Sequence, residues 1–214
     1  MNDNLTNNVN STNYNSNNNN LKFRQDFAII AGWIGFGKKV LDLGCGDGTL
    51  LQFLRSSLET KGYGVEKDDA NWLMCLQNGT NVIQMDLEAG LSGFEDQSFD
   101  TVILSQTLQA MHNTEDIVQE MLRVGREIIV TFPNFGYWRN RMQITNGSMP
   151  VSKTLPYQWY DTPNVHLCTI NDFDQFCKNH KITVIERKVI TEGQEISFMP
   201  NLLGNLAMYR LKAK

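Results

Sequence analysis

The chain has 214 residues and a mass of 24.4 kDa, with 41% hydrophobic and 20% charged residues, enough to bury a full two- or three-layer core without disulfide or metal staples. Net charge is −4 and pI about 5.4, which disfavours a protein living on nucleic-acid phosphates, since that usually needs a basic face. No apolar run approaches the ~18–20 residues that span a bilayer, and no basic stretch followed by an apolar core marks a secretory signal.

Residues 1–20 hold eleven Asn and, after Met1, only Leu5, Val9 and Tyr14 as aliphatic or aromatic residues. Such a segment cannot bury enough apolar surface to offset its ordering entropy. It is expected to be a disordered tail, with one folded domain over 21–214. Phe27, Ile30, Ala31 and Ile34 recur at helical spacing and predict a helix over 24–34, ended by Gly35 and Gly37. Lys39 to Leu43 reads as a buried strand, 44–48 as a turn, and 49–58 as a helix. Strands over 61–66 and 81–85 flank a helix over 69–77. The clearest strand is Phe99 to Ser105. A helix over 114–124 follows, with Thr114-Glu-Asp116 as its expected cap, and then a strand over 127–132.

Alternation of this kind predicts an α/β domain with a mostly parallel sheet and crossover helices. Residues 133–169 break the pattern. They hold four of the five prolines and two aromatic clusters, and read as a loop or partly helical insertion, a lid or binding surface. A helix over 170–179 and strands over 182–190 and 206–212 complete the chain. The last two strands are expected to pair antiparallel, because no helix-length pattern separates them.

The four cysteines, Cys45, Cys75, Cys168 and Cys177, form no CxxC pair, so no metal site or redox pair is indicated, and a cytoplasmic protein with reduced thiols is expected. Arg123, Arg126, Arg139 and Arg141 are the only candidate basic cluster. Chemistry concentrates in Val40-Leu-Asp-Leu-Gly-Cys-Gly-Asp-Gly48, where a buried strand enters a glycine-rich turn that opens a helix. Glycine lets backbone approach a ligand closely and take positive φ. The ligand would sit beyond the carboxyl end of the first strand, at the switch point of the sheet. A nicotinamide dinucleotide site would read G-x-G-x-x-G with pyrophosphate on the helix N-terminus. Here Gly44, Gly46 and Gly48 give G-x-G-x-G, and Asp42 and Asp47 would repel a pyrophosphate. A cationic ligand without phosphate suits the segment better.

This segment resembles motif I of class I S-adenosylmethionine (SAM)-dependent methyltransferases, which implies a three-layer Rossmann-like fold with SAM or S-adenosylhomocysteine as cofactor. Asp42, Gly44, Cys45, Gly46 and Gly48 are then cofactor-binding candidates, with Cys45 a packed small residue rather than a nucleophile. The resemblance implies that Glu66, closing the second strand, takes the two ribose hydroxyls. Asp86 would take the adenine amino group, with the Leu87 N–H near the ring. Ser105 and Gln106 would face the sulfonium. His112 and His166 are weaker acid–base candidates, and His180 reads as a solvated helix end. Arg24 is a candidate for the cofactor carboxylate or for a surface ion pair with Asp26.

Residues 98–179 carry a narrower resemblance, to the methionine biosynthesis protein MetW family. It rests on Ser98 to Gln109, Glu120-Met-Leu-Arg-Val-Gly125, Phe132-Pro-Asn-Phe-Gly-Tyr-Trp-Arg139, Met149-Pro-Val-Ser-Lys153, and most specifically Leu155-Pro-Tyr-Gln-Trp-Tyr-Asp-Thr-Pro-Asn-Val-His-Leu-Cys-Thr169. The match spans about 21–190 and departs at Gln25, where members often carry Pro. It implies a partner or activator of a homoserine O-acyltransferase. Tyr137, Trp138, Tyr157, Trp159, Tyr160 and His166 would form a docking surface or lid. The alternative is an active methyltransferase on a small-molecule acceptor; Ser105-Gln-Thr-Leu108 lacks the Asn-Pro-Pro-Tyr-type segment of enzymes that methylate amino groups of bases or glutamine. A nicotinamide dehydrogenase is a weaker third reading.

Overall fold

A computed structural model describes residues 24–214. The expected tail over 1–20 lies outside them. The elements run α1 (Gln25–Ile34), β1 (Lys39–Leu43), α2 (Thr49–Leu58), β2 (Lys61–Glu66), α3 (Asp69–Gln77), β3 (Asn81–Gln84), β4 (Phe99–Ser105), α4 (Thr114–Val124), β5 (Gly125–Pro133), α5 (Trp138–Thr145), α6 (Ile170–Asn179), β6 (Ile182–Thr191), β7 (Gln194–Glu195), α7 (Pro200–Leu203) and β8 (Leu206–Ala213). Short 3₁₀ turns lie at Leu87–Ala89 and Leu108–Ala110.

One eight-stranded sheet has the order β3-β2-β1-β4-β5-β8-β6-β7. Strands β1 to β5 run parallel, whereas β8 is antiparallel to both β5 and β6. The antiparallel pairing of the last long strands is as expected. Their order across the sheet is not visible in the sequence: β8 lies between β5 and β6, and a short hairpin strand β7 extends the edge.

Two cores fill the layers on either side. One packs α1, α2 and the Cys75 turn of α3 against Val40, Ile103, Ile129 and Met208. The other packs α4 and α6 against Leu41, Leu43, Val102, Leu104, Val130 and Tyr209. This alternation of faces along single strands follows from the period-two geometry of β structure. Helix α4 shows the complementary period, burying Ile117, Val118, Met121 and Val124. Its cap differs from the expectation. Asn113 occupies the N-cap with no side-chain hydrogen bond, and Glu115 and Asp116 act only as first-turn acids.

Register brings the carboxyl ends of the parallel strands into line. Leu43 pairs with Val65 and Leu104, Glu66 with Gln84, and Ser105 with Thr131. Because β1 pairs with β2 on one side and β4 on the other, the chain reverses its direction of winding there. That opens a crevice at the end of β1.

The 133–169 insertion adds one helix, α5, and no strand. Its anchor is Asn134, 1% exposed. The Asn134 amide donates to the carbonyls of Asn201 and Gly204, and its oxygen accepts from the N–H groups of Gly136 and Ile170. Both donors and both acceptor lone pairs of the amide are thereby used.

Candidate functional site at the end of strand β1

Strand β1 is buried from Val40 to Leu43, so Asp42 sits inside the sheet. Its Oδ1 is buried without a hydrogen-bond partner. Burial, and then the charge of Glu66, push the Asp42 carboxyl up to about 8. At neutral pH Asp42 is therefore mostly protonated.

The turn that follows carries Gly44, Gly46 and Gly48 at φ 69°, 57° and 78°. A side chain at Gly44 would strike Thr107 at 2.8 Å, whereas Gly46 faces open space, with no atom within 4 Å of its missing Cβ. Backbone at Gly46 is thus bare toward the crevice. Cys45 packs as expected for a small core residue. Its Sγ lies 3.7 Å from Cys75 Sγ, and Cys75 donates to the Gly46 carbonyl at 3.1 Å. Burial drives the Cys45 thiol far above its ordinary range, which leaves no thiolate for nucleophilic chemistry. Asp47 accepts from the Thr49 N–H and so braces the start of α2.

Glu66 reaches across to this turn. Its Oε2 accepts from Gly46 N–H at 2.8 Å, and its Oε1 accepts from the N–H groups of Lys67 and Asp68, both at 2.8 Å. Three of roughly four lone-pair positions on the carboxylate are occupied. Asp86 accepts from Lys67 Nζ at 2.6 Å and from Glu88 N–H. The Lys67 bond, and then the Glu88 N–H, hold its carboxyl below the ordinary carboxylate range. Leu87 is buried in the 3₁₀ turn beside it.

On the other flank, Ser105 Oγ lies 3.1 Å from Thr131 Oγ1. The Gln106 N–H donates to the Thr131 carbonyl at 2.9 Å and to its hydroxyl at 3.0 Å. Those bonds hold Gln106 at φ 54°, a conformation costly for a non-glycine residue unless its surroundings impose it. Thr107, Thr131 and Lys67 support the crevice, and none of the three stands out in the sequence. Thr131 is legible only through the register Ser105–Thr131.

The structure therefore gathers Asp42, Gly44, Cys45, Gly46, Gly48, Glu66, Asp86, Leu87, Ser105 and Gln106 around the carboxyl ends of β1 to β4. Other candidates stand apart. Arg24 pairs with Asp26 at 2.6 Å and lies over the Phe27 ring. His112 is exposed, and its backbone N–H donates to Glu88. His166 reaches the His112 carbonyl at 3.2 Å. His180 is more than a solvated helix end: its Nδ1 lies 3.0 Å from Glu115, and its ring packs on Phe176. The four arginines form no cluster. Arg123 is tied to Glu120 and Asp96 at the start of β5, whereas Arg139 and Arg141 lie beyond its far end. Among the described residues, no group of three or more His, Cys, Asp or Glu could hold a metal ion, and no helix is long and apolar enough to cross a membrane.

In the insertion, Trp159 and Tyr160 are each 71% exposed and meet edge to face at 5.7 Å. Tyr157, Trp138 and His166 are also exposed. Tyr137 is the exception. At 6% exposure it is buried, edge-on to Trp138.

Strand order, the glycine crevice and the antiparallel final strands define the class I methyltransferase fold. Solved structures agree on that fold. A SAM-dependent methyltransferase of Thermotoga maritima, described as a possible histamine N-methyltransferase, superposes with TM-score 0.64 at 16% identity, covering 94% of this chain and 95% of its own. A SAM-dependent methyltransferase of Archaeoglobus fulgidus superposes with TM-score 0.62 at 15% identity, covering 89% and 96%. Within this fold the chain belongs to the methionine biosynthesis protein MetW family, which it matches over residues 24–211. The bifunctional methionine biosynthesis protein MetXA/MetW of Rhodopirellula baltica is 38% identical over 186 residues, covering 80% of this chain. The chain spans 30% of that relative's length.

Proposed function

We propose that this chain binds S-adenosylmethionine in the β1 crevice and acts as a partner of a homoserine O-acyltransferase in methionine biosynthesis. The observation that carries the partner reading is the Rhodopirellula relative, in which a MetXA portion and a MetW portion share one polypeptide. Fusion places two units at high effective concentration, which is useful when they work in contact. The exposed pair Trp159 and Tyr160 supports the same reading, because Trp and Tyr are enriched at interface hot spots.

Support for the cofactor lies in the donor set. Asp42 keeps a buried oxygen without a partner, and a cation-bearing ligand nearby would favour its ionised form. Gly46 has open space at its missing Cβ, which would let a nucleoside approach the backbone closely. Glu66 would receive the two ribose hydroxyls by using its free lone pair and releasing the Gly46 N–H. Asp86 would turn from Lys67 toward the adenine amino group. Gln106, held by Thr131, would border the sulfonium. When bound, SAM supplies either a transferable methyl group or a report on pathway output. In the second case it acts by binding the two states of the complex unequally.

Calorimetry of the purified chain with SAM tests the cofactor, and binding is expected to weaken strongly in Glu66→Ala. No binding at millimolar SAM, or unchanged binding in the variant, overturns it. Co-expression with the acyltransferase tests the partner. Acyltransferase activity should rise with this chain and fall back with the Trp159→Ala, Tyr160→Ala double variant. Identical activity with and without the chain overturns the partner reading. A labelled methyl acceptor recovered from extract incubated with methyl-labelled SAM would point to catalysis instead.

A further inference from the structure

Arg141 does not gather with the other arginines near it in sequence, but it shares an open cleft of about 380 Å³ with Arg187. The cleft lies among α5, the start of α6, β6 and α7. None of the residues gathered at the ends of β1 to β4 lines it. Met199, Pro200 and Leu202 give it an apolar side.

Its polar side is rich in donors. Arg141 Nε donates to the Gly136 carbonyl at 2.6 Å. Among the described residues, the Arg141 guanidinium pairs with no carboxylate, so its terminal nitrogens are uncommitted. Arg187 donates one Nη to Asp174, whose other oxygen accepts from the Tyr209 hydroxyl at 2.8 Å. Asp174 is the only acid among the described residues of the lining. Two guanidinium charges therefore face one carboxylate, and that carboxylate is already engaged on both oxygens. Asn201 adds a further donor. Its Oδ1 accepts from the Ile170 N–H at 3.1 Å, which sets the orientation of the amide and leaves Nδ2 to donate. Arg141 and Arg187 are both exposed residues, so a ligand can reach them.

We propose that this cleft binds a small molecule with an oxyanion head, a carboxylate or a phosphate, on a short apolar stem. A guanidinium presents paired N–H groups that match either oxyanion. The head would lie between Arg141 and Arg187, and the stem along Met199 and Leu202. Size agrees with that class. An apolar cavity of about 150 Å³ holds a benzene ring, so about 380 Å³ takes a ring, or a branched chain of similar bulk, together with its charged head. Arg141 belongs to the insertion and Arg187 to β6, so the bound molecule would bridge the insertion to the outer part of the sheet.

The experiment uses the full chain without SAM or acyltransferase, so its outcome is independent of the cofactor and partner readings. Phenylacetate and phenyl phosphate are the anionic probes, and phenylacetamide is the neutral isostere. Calorimetry reports affinity, and amide NMR shifts report place. At least one anion should saturate and shift the amides around Asn171 and Leu202, leaving those of Gly44 to Gly48 unmoved. The tighter of the two names the oxyanion. Phenylacetamide should bind at least about tenfold more weakly than the anion that binds, and Arg141→Gln should cost that anion a similar factor, as expected for losing a charge-assisted hydrogen bond. Arg187→Gln should do the same. That variant also strips Asp174 of its partner, and if it does not fold, Arg141→Gln decides. Failure of both anions to bind overturns the proposal. So does phenylacetamide binding as tightly as the anions, or an affinity unchanged in Arg141→Gln.

Discussion

Replacing Asp42 by asparagine tests the electrostatic core of the crevice through stability alone. Asp42 is buried within β1 and its carboxyl is raised to about 8, from an ordinary 3.8. The unfolded chain loses this proton near pH 4, whereas the folded chain holds it until about pH 8. Between those limits the folded state binds one more proton than the unfolded state. Stability contributed by that proton is complete below pH 4 and is lost as pH rises through about 8, at about 1.4 kcal/mol per pH unit. From pH 5 to pH 8 the loss amounts to about 3–4 kcal/mol. A side-chain amide cannot ionise, so Asp42→Asn should lack this component. Urea unfolding of both proteins at pH 5, 6, 7 and 8 gives the comparison, and their difference cancels the other titrating groups. The variant should gain about 3–4 kcal/mol on the natural chain across the range, with unchanged m-values. Parallel pH profiles would refute the reasoning, since they would mean that Asp42 is ionised in the folded state at no cost.

The same carboxyl makes the proposed SAM binding pH-dependent. A cationic ligand lowers its pKa, so binding should release a proton and tighten as pH rises from 6 toward 8, by up to about tenfold per unit. Calorimetry in buffers of different ionisation enthalpy reads that proton, and buffer-independent heats would exclude it. Asn134→Ala should destabilise the chain by about 3–5 kcal/mol, because it strips the Gly136 N–H and two carbonyls of their buried partner. A loss below about 1 kcal/mol in thermal or urea unfolding would show that the insertion is anchored elsewhere. Removing residues 1–18 should leave SAM affinity unchanged in a titration, and a large loss would place part of the site in the Asn-rich head.

Most of the fold was legible because its signals are local. The buried run at 39–43, the glycines at 44–48 and the apolar spacing of α2 and α4 each specify their own element. Strands β1 to β5 then follow from parallel alternation. Strand order beyond β5 was not legible. Nothing in residues 206–213 says that they pair with β5 as well as with β6, since pairing depends on cross-strand contacts far apart in sequence. The candidate residues fall together because, apart from Asp42 inside β1, each closes a strand or lies in the turn after it. Their supports were not legible. Thr131 is an ordinary strand residue until register sets it beside Ser105 and Gln106. Arg141 looks like one more surface cation until the fold places it in one cleft with Arg187. The cap of α6 is also written in local sequence. Thr169 and Asp172 form a reciprocal capping box, and their spacing is visible in the sequence.

The position of β8 has a consequence for the order in which the chain is made. Strands β1 to β5 can assemble once residue 133 is available, yet the outer edge of β5, from Ile128 to Pro133, is covered only by residues 206–211. Until those residues leave the ribosome, a nascent chain carries an apolar strand with open hydrogen-bonding groups along one side. Such an edge is a template for pairing with the wrong chain. Synthesis of the 72 residues between 133 and 206, at about 5–20 residues per second, leaves it open for roughly 4–14 seconds. The last strand is thus the closing seam of the sheet, and the interval before it arrives is when this protein most needs protection from aggregation.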